Sequence, residues 1–137
     1  MSTERITINI SMKIIILITF LLYGCGNISS SFDQTQLLLT AKIKTKTSLI
    51  LEENKCNENV FEYVNNEILP LSITLQEYSS NLSKEEKEIT QDLNNLVVEY
   101  NNRLKKESTL FYCKEKAKII LENTNIIIKI FSKRIRR

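Results

Sequence analysis

Three cysteines, Cys25, Cys56 and Cys113, are the only thiols in a 137-residue chain that contains no histidine. Without imidazole, the usual general base near neutral pH and the commonest metal ligand are both missing. The two glycines, Gly24 and Gly26, flank Cys25. Nothing downstream of them can therefore form a Gly-rich phosphate loop or a tight nucleophile elbow. No Cys-x-x-Cys spacing is present to tune a thiolate for redox work. Glu85, Glu86 and Glu88 form an acidic cluster, but they fall in the expected first turn of a helix, where carboxylates complement the dipole. No Asp-x-Asp-x-Asp-Gly calcium loop occurs, and no spacing places two carboxylates in a shared cleft for glycoside cleavage. These residues imply no catalytic site, no metal and no cofactor.

What Cys25 can do depends on what precedes it. From Ile14 to Tyr23 the chain is apolar except for Thr19, and Lys13 bounds the run upstream. A transmembrane helix needs about 20 apolar residues, and this run is roughly half as long. It has the length of a signal-peptide hydrophobic region, with Met12-Lys13 as a compact basic start and residues 1–11 as an upstream extension. Leu22-Tyr23-Gly24-Cys25 resembles the lipobox of bacterial lipoproteins. Tyr23 departs from that pattern, whose second place holds a smaller residue. The resemblance covers the targeting segment and not the folded part. It implies cleavage before Cys25 and acylation of that cysteine, palmitate included. It thus divides the chain into a signal peptide (1–24), a lipidated N-terminus with a flexible polar tether (25–32) and a helical domain (33–137). Two or three acyl chains would hold the protein on a membrane, where one binds only reversibly. Gly26, in place of Asp, implies the outer membrane of a Gram-negative envelope.

The elements that must position these residues read as helices. Only Pro70 and no glycine follow Gly26, so devices for hairpin turns are scarce and β structure is disfavoured. Apolar residues in 33–53 give a broad face through Leu37, Ala41, Ser48 and Leu51, alongside Leu39, Ile43 and Ile50, interrupted by lysines. Asn57 is placed to cap a second helix, whose stripe runs Val60, Val64, Ile68, Leu71, Leu75, Tyr78 and Leu82, with a kink expected at Pro70. Ser83-x-x-Glu86 is a capping box, and Ile89, Leu93, Leu96, Tyr100 and Leu104 follow on one face. The last stripe is Leu110, Cys113, Ala117, Ile120, Thr124, Ile127 and Phe131, with Ser108-Thr109 as a candidate cap. The expected class is all-α: a small antiparallel four-helix bundle, or a long coiled-coil-like helical hairpin turning at Leu82-Ser83.

If Cys25 carries lipid, Cys56 and Cys113 remain as an even pair in an exported protein. They lie about 27 residues before and about 30 after the turn at Leu82-Ser83, so either architecture brings them to one level and a disulfide is expected. Charge is segregated. Residues 52–107 hold twelve acidic and six basic side chains, while residues 114–137 hold eight basic and two acidic. Lys133, Arg134, Arg136 and Arg137 complement a helix C-terminus, and are also candidates to rest on anionic headgroups or a polyanion. The expected partners are a membrane through the N-terminal lipid and a protein or polyanionic component of the envelope or a host. Nucleic acid is not expected, and a homo-oligomer remains open. The expected role is non-catalytic binding or structure. The alternatives are an exclusion or immunity lipoprotein of a mobile element and a carboxylate-dependent envelope enzyme.

Overall fold

A computed structural model of the chain describes residues 28–57, 59–80 and 82–135. The described residues are all-helical, with four helices and no strand. Helix α1 spans Ile28–Glu52, so it begins inside the stretch expected as a tether. A short 3₁₀ turn, Lys55–Asn57, leads into α2, which runs through residues 60–79. Helix α3 spans Lys84–Lys105 and α4 spans Leu110–Ile135.

The breaks between helices are made without glycine. Asn54, just after α1, and Glu107, just after α3, both adopt positive φ, at 53° and 75°. A left-handed residue after the last helical turn ends a helix, and Asn tolerates it better than Glu. Ser83 caps α3: its hydroxyl accepts from the Glu86 N–H while the Glu86 carboxylate accepts from the Ser83 N–H, which completes the box. Thr109 caps α4 by accepting from the Tyr112 N–H at 3.1 Å. Asn57 does not cap α2. It lies in the 3₁₀ turn, and Asn59 occupies the cap position without a side-chain bond.

Successive helices run antiparallel. Gln36, early in α1, donates to Ser79 Oγ at the end of α2, while Lys46 further along α1 pairs with Glu67. Between α2 and α3, Ser72 meets Asn94 and Asn65 meets Asn101. Between α3 and α4, Glu99 pairs with Lys116 at one end and Glu86 with Arg134 at the other. All four helices feed one hydrophobic core, which includes Ile43 and Ile50, Val64 and Leu75, Leu93 and Val97, and Ile120 and Phe131.

The buried stripe of α4 is the expected one from Cys113 to Phe131; Leu110 at its start is exposed. In α1 the core face is Gln36, Thr40, Ile43, Thr47 and Ile50, so three of its five residues are polar. Thr40 returns its hydroxyl to the Gln36 carbonyl at 2.8 Å, and this internal bonding is how a small polar residue sits in a core. In α3, Glu86 and Thr90 are fully buried while Ile89 and Leu96 lie half-buried beside them.

Candidate functional site

A groove of about 590 Å³ lies between α1 and α2. Its origin is a local irregularity in α2. The helix opens as an α turn, Val60–Tyr63, widens to a π turn, Val64–Ile68, and returns to α geometry over Leu69–Ser79. In the π turn the Leu69 N–H reaches back to the Val64 carbonyl, five residues away. Pro70 has no N–H to close the α-type bond to the Asn66 carbonyl, which removes one reason for the tighter turn. The expected kink at Pro70 is thus a π turn ending just before it.

That turn moves the face of α2 behind it. Val60, Val64, Ile68 and Leu75 are buried as expected, but Ser72 and Ser79 join them in the buried series. Leu71 is left half-buried and Tyr78 is exposed. The two serines that enter the core are satisfied there. Ser72 bonds the Leu69 carbonyl and Asn94, and Ser79 bonds the Leu75 carbonyl and receives Gln36.

The displaced Leu71 and the adjacent Pro70 form the apolar α2 wall of the groove. Leu38 and Ala41 of α1 face them, and Leu38 is 57 % exposed. The polar lining is Lys42, Thr45 and Lys46 from α1 with Asn66 and Glu67 from the π turn. The Lys46 ammonium lies 2.7 Å from a Glu67 carboxylate oxygen. The hydrogen bond and charge of Glu67 raise the Lys46 pKa above its ordinary value, so the ammonium stays charged. Tyr63 donates its hydroxyl to the Lys46 carbonyl at 3.1 Å, and the Lys55 ammonium sits over its ring. Partial burial raises the Tyr63 pKa, which keeps the phenol neutral and able to donate. The groove is therefore braced by one ion pair and one half-buried phenol, and Lys42 faces it without an ion pair among the described residues. It offers an apolar floor with a few placed polar groups, the usual make-up of a ligand site.

The other residues singled out by sequence lie away from it. Cys56 and Cys113 form a disulfide, with S–S 1.99 Å and Cα atoms 5.9 Å apart. The bond ties the 3₁₀ turn after α1 to the first turn of α4. Tyr100 donates its hydroxyl to the Cys113 carbonyl at 3.1 Å, and the same oxygen lies 3.2 Å from Cys113 Sγ. Burial pushes the Tyr100 pKa up strongly, so this donor is protonated at any physiological pH. Within the acidic cluster, Glu86 points inward to Ser83 and Arg134, whereas Glu85 and Glu88 are exposed. Of the basic tail, Arg134 is engaged by Glu86, and Lys133 is exposed beside a smaller hollow of about 230 Å³. Arg136, Arg137 and Cys25 lie outside the described residues.

Among the described residues no cluster of Cys, Asp or Glu has metal-holding geometry, and no helix is long and apolar enough to cross a membrane. Sequence reasoning did not single out the groove. The one signal for it was Pro70 inside a sustained stripe, because a proline there must be absorbed by some change of turn. No protein-family model, no curated protein and no solved structure matches the chain.

Proposed function

We propose that the protein is a non-catalytic binding lipoprotein of a bacterial cell envelope, held by acylated Cys25 and using the α1–α2 groove as its binding surface. The observation that carries the binding part is the groove itself. Behind the π turn, Leu71 lies half-buried at the edge of the core and lines an open apolar trough with Pro70 and Leu38. The lipid part rests on the lipobox-like Leu22-Tyr23-Gly24-Cys25. Its test is the Cys25→Ser protein expressed in a Gram-negative host. The parent should take up labelled palmitate and partition into detergent, and the variant should do neither. A variant that is labelled and partitions like the parent sinks this part of the reading.

For the helices the reading is a closed four-helix bundle, in which α4 returns alongside α1. The bonds of Gln36 to the end of α2 hold the start of α1 near the turn at residues 80–83. In a hairpin with one continuous arm from residue 84, Ile126 would lie about 60 Å beyond that turn. In the bundle it lies near Leu38, since packed helix axes sit about 8–10 Å apart. Both side chains are exposed and accept spin labels. A label-to-label distance within about 25 Å is expected for adjacent packed helices, and one beyond about 40 Å would exclude the bundle.

A further inference from the structure

We propose that the outer face of α4 pairs with α4 of a second copy of the chain, the two helices running antiparallel about a two-fold axis. This goes beyond the reading above, since it uses neither the α1–α2 groove nor acylation of Cys25.

Helix α4 carries large apolar side chains on a face turned to solvent. Ile119 and Ile126 are 39 % and 55 % exposed. They stand seven residues apart, so they lie within about 20° of each other around the helix. Ile130, half-buried, extends the same strip. Lys116 and Arg134, which bond α3, flank the strip on one side. Glu115, Glu122, Lys129 and Lys133 flank it on the other, within a band of about 40° at 3.6 residues per turn.

The order of those charges selects the occupant. Both carboxylates lie in the first half of α4 and both ammoniums in the second. A parallel second copy would set Glu against Glu and Lys against Lys. An antiparallel copy sets Glu122 against the second copy's Lys129, Glu115 against its Lys133, and Ile119 against its Ile130. All three pairings are centred between residues 124 and 126, so one axis satisfies them together, with Ile126 of each copy beside it. A two-fold interface must complement itself, and a charge pattern that inverts about its own midpoint does so.

Glu122, Lys129 and Lys133 form no ion pair among the described residues, so each is free to meet a second copy. Glu115 already accepts from Lys118 at 2.7 Å, which leaves Glu122 with Lys129 as the pair that discriminates most. One helix face is a small interface, so the dimer is weak and half-formed at roughly 0.1 mM.

The experiment uses the full chain in an excess of zwitterionic detergent. With photoreactive p-benzoylphenylalanine in place of Ile119, irradiation should give a covalent dimer linked to residues 127–133 of the second copy. Sedimentation equilibrium without the photoprobe then measures the association. Glu122→Lys and Lys129→Glu each turn two attractions per dimer into two repulsions, and each alone should weaken association about tenfold. An equimolar mixture of these two variants should restore it to within about twofold, because every cross-copy pair is then opposite in sign. Both side chains are exposed, and unchanged melting curves verify that the variants fold. A parent that stays monomeric at about 1 mM, a mixture no tighter than the single variants, or links from position 119 to residues 116–122 of the second copy would each overturn the inference.

Discussion

Replacing Cys56 with alanine is expected to lower the midpoint of thermal unfolding by roughly 15 to 30 °C, taking about 4–8 °C per kcal/mol for a domain of this size. The disulfide joins residues 57 positions apart, so it closes a long loop in the unfolded chain. Chain-entropy reasoning assigns such a loop about 4 kcal/mol, a large part of the 5–15 kcal/mol typical of a whole domain. The shape of the mutant series matters more than its size. Cys56→Ala and Cys113→Ala each break the same bond, so the double variant should be only slightly less stable than either single one. Cys113 is buried and Cys56 half-buried, which makes the Cys113 variant the worse of the two by the small volume it empties. Tyr100 keeps its bond to the residue 113 carbonyl in every variant, so its phenol is not orphaned. Reduction of the parent with a dithiol should reproduce the single variants. Calorimetry decides it: additive losses, or a parent melt unmoved by reduction, would show that the staple is not what holds the 3₁₀ turn to α4.

The disulfide was legible because it needed only two positions at one level about a turn. The helices were legible for a similar reason, as the α4 stripe from Cys113 to Phe131 shows: spacing fixes which residues face inward while the backbone stays regular. Legibility ended where the backbone departed from 3.6 residues per turn. Leu71 and Tyr78 satisfied the spacing, yet Leu71 is only half-buried at the core's edge and Tyr78 is exposed, while Ser72 and Ser79 are buried, because the π turn at Val64–Ile68 changes the phase behind it. A sequence pattern that assumes constant pitch cannot register that step. The same blindness hid the groove, whose floor is made of a residue the pattern had assigned to the interior.

A second limit is chemical. Apolar spacing gives no weight to polar residues that bury themselves by bonding locally. Gln36, Thr40, Thr47, Glu86 and Thr90 are all on core faces, and most carry internal hydrogen bonds. Stripes drawn through Leu37 and Ala41, or through Ile89 and Leu96, therefore sat to one side of the true faces. Glu86 is the sharpest case. Its place in Ser-x-x-Glu was read correctly as half of a capping box. Its burial by the far end of α4 depends on a contact 48 residues away, which no local pattern contains.

That contact carries the second large effect. Arg134→Ala is expected to cost about 2 kcal/mol, because it strands a carboxylate that has no exposure of its own. The figure is held below the 3–5 kcal/mol of a fully buried pair, since the Arg134 side chain is 40 % exposed and water screens its side of the bridge. Ser83 cannot make up the loss. Its N–H and hydroxyl already serve one oxygen, Oε2, at 3.2 and 3.0 Å, while Oε1 is the atom turned toward Arg134. Removing the charge as well should therefore restore stability. Glu86→Gln can still accept from Ser83, and with Arg134 absent its amide no longer faces a guanidinium. The Glu86→Gln/Arg134→Ala protein should be more stable than Arg134→Ala alone, although it carries one substitution more. Urea unfolding of the four proteins in this cycle gives the coupling directly. If the double variant is less stable by the sum of the singles, Glu86 is not held by Arg134, and the cation is then available to an anionic surface beside Lys133. If the rescue appears, Arg134 belongs to the fold, and any affinity of the basic tail for a polyanion must come from its neighbours.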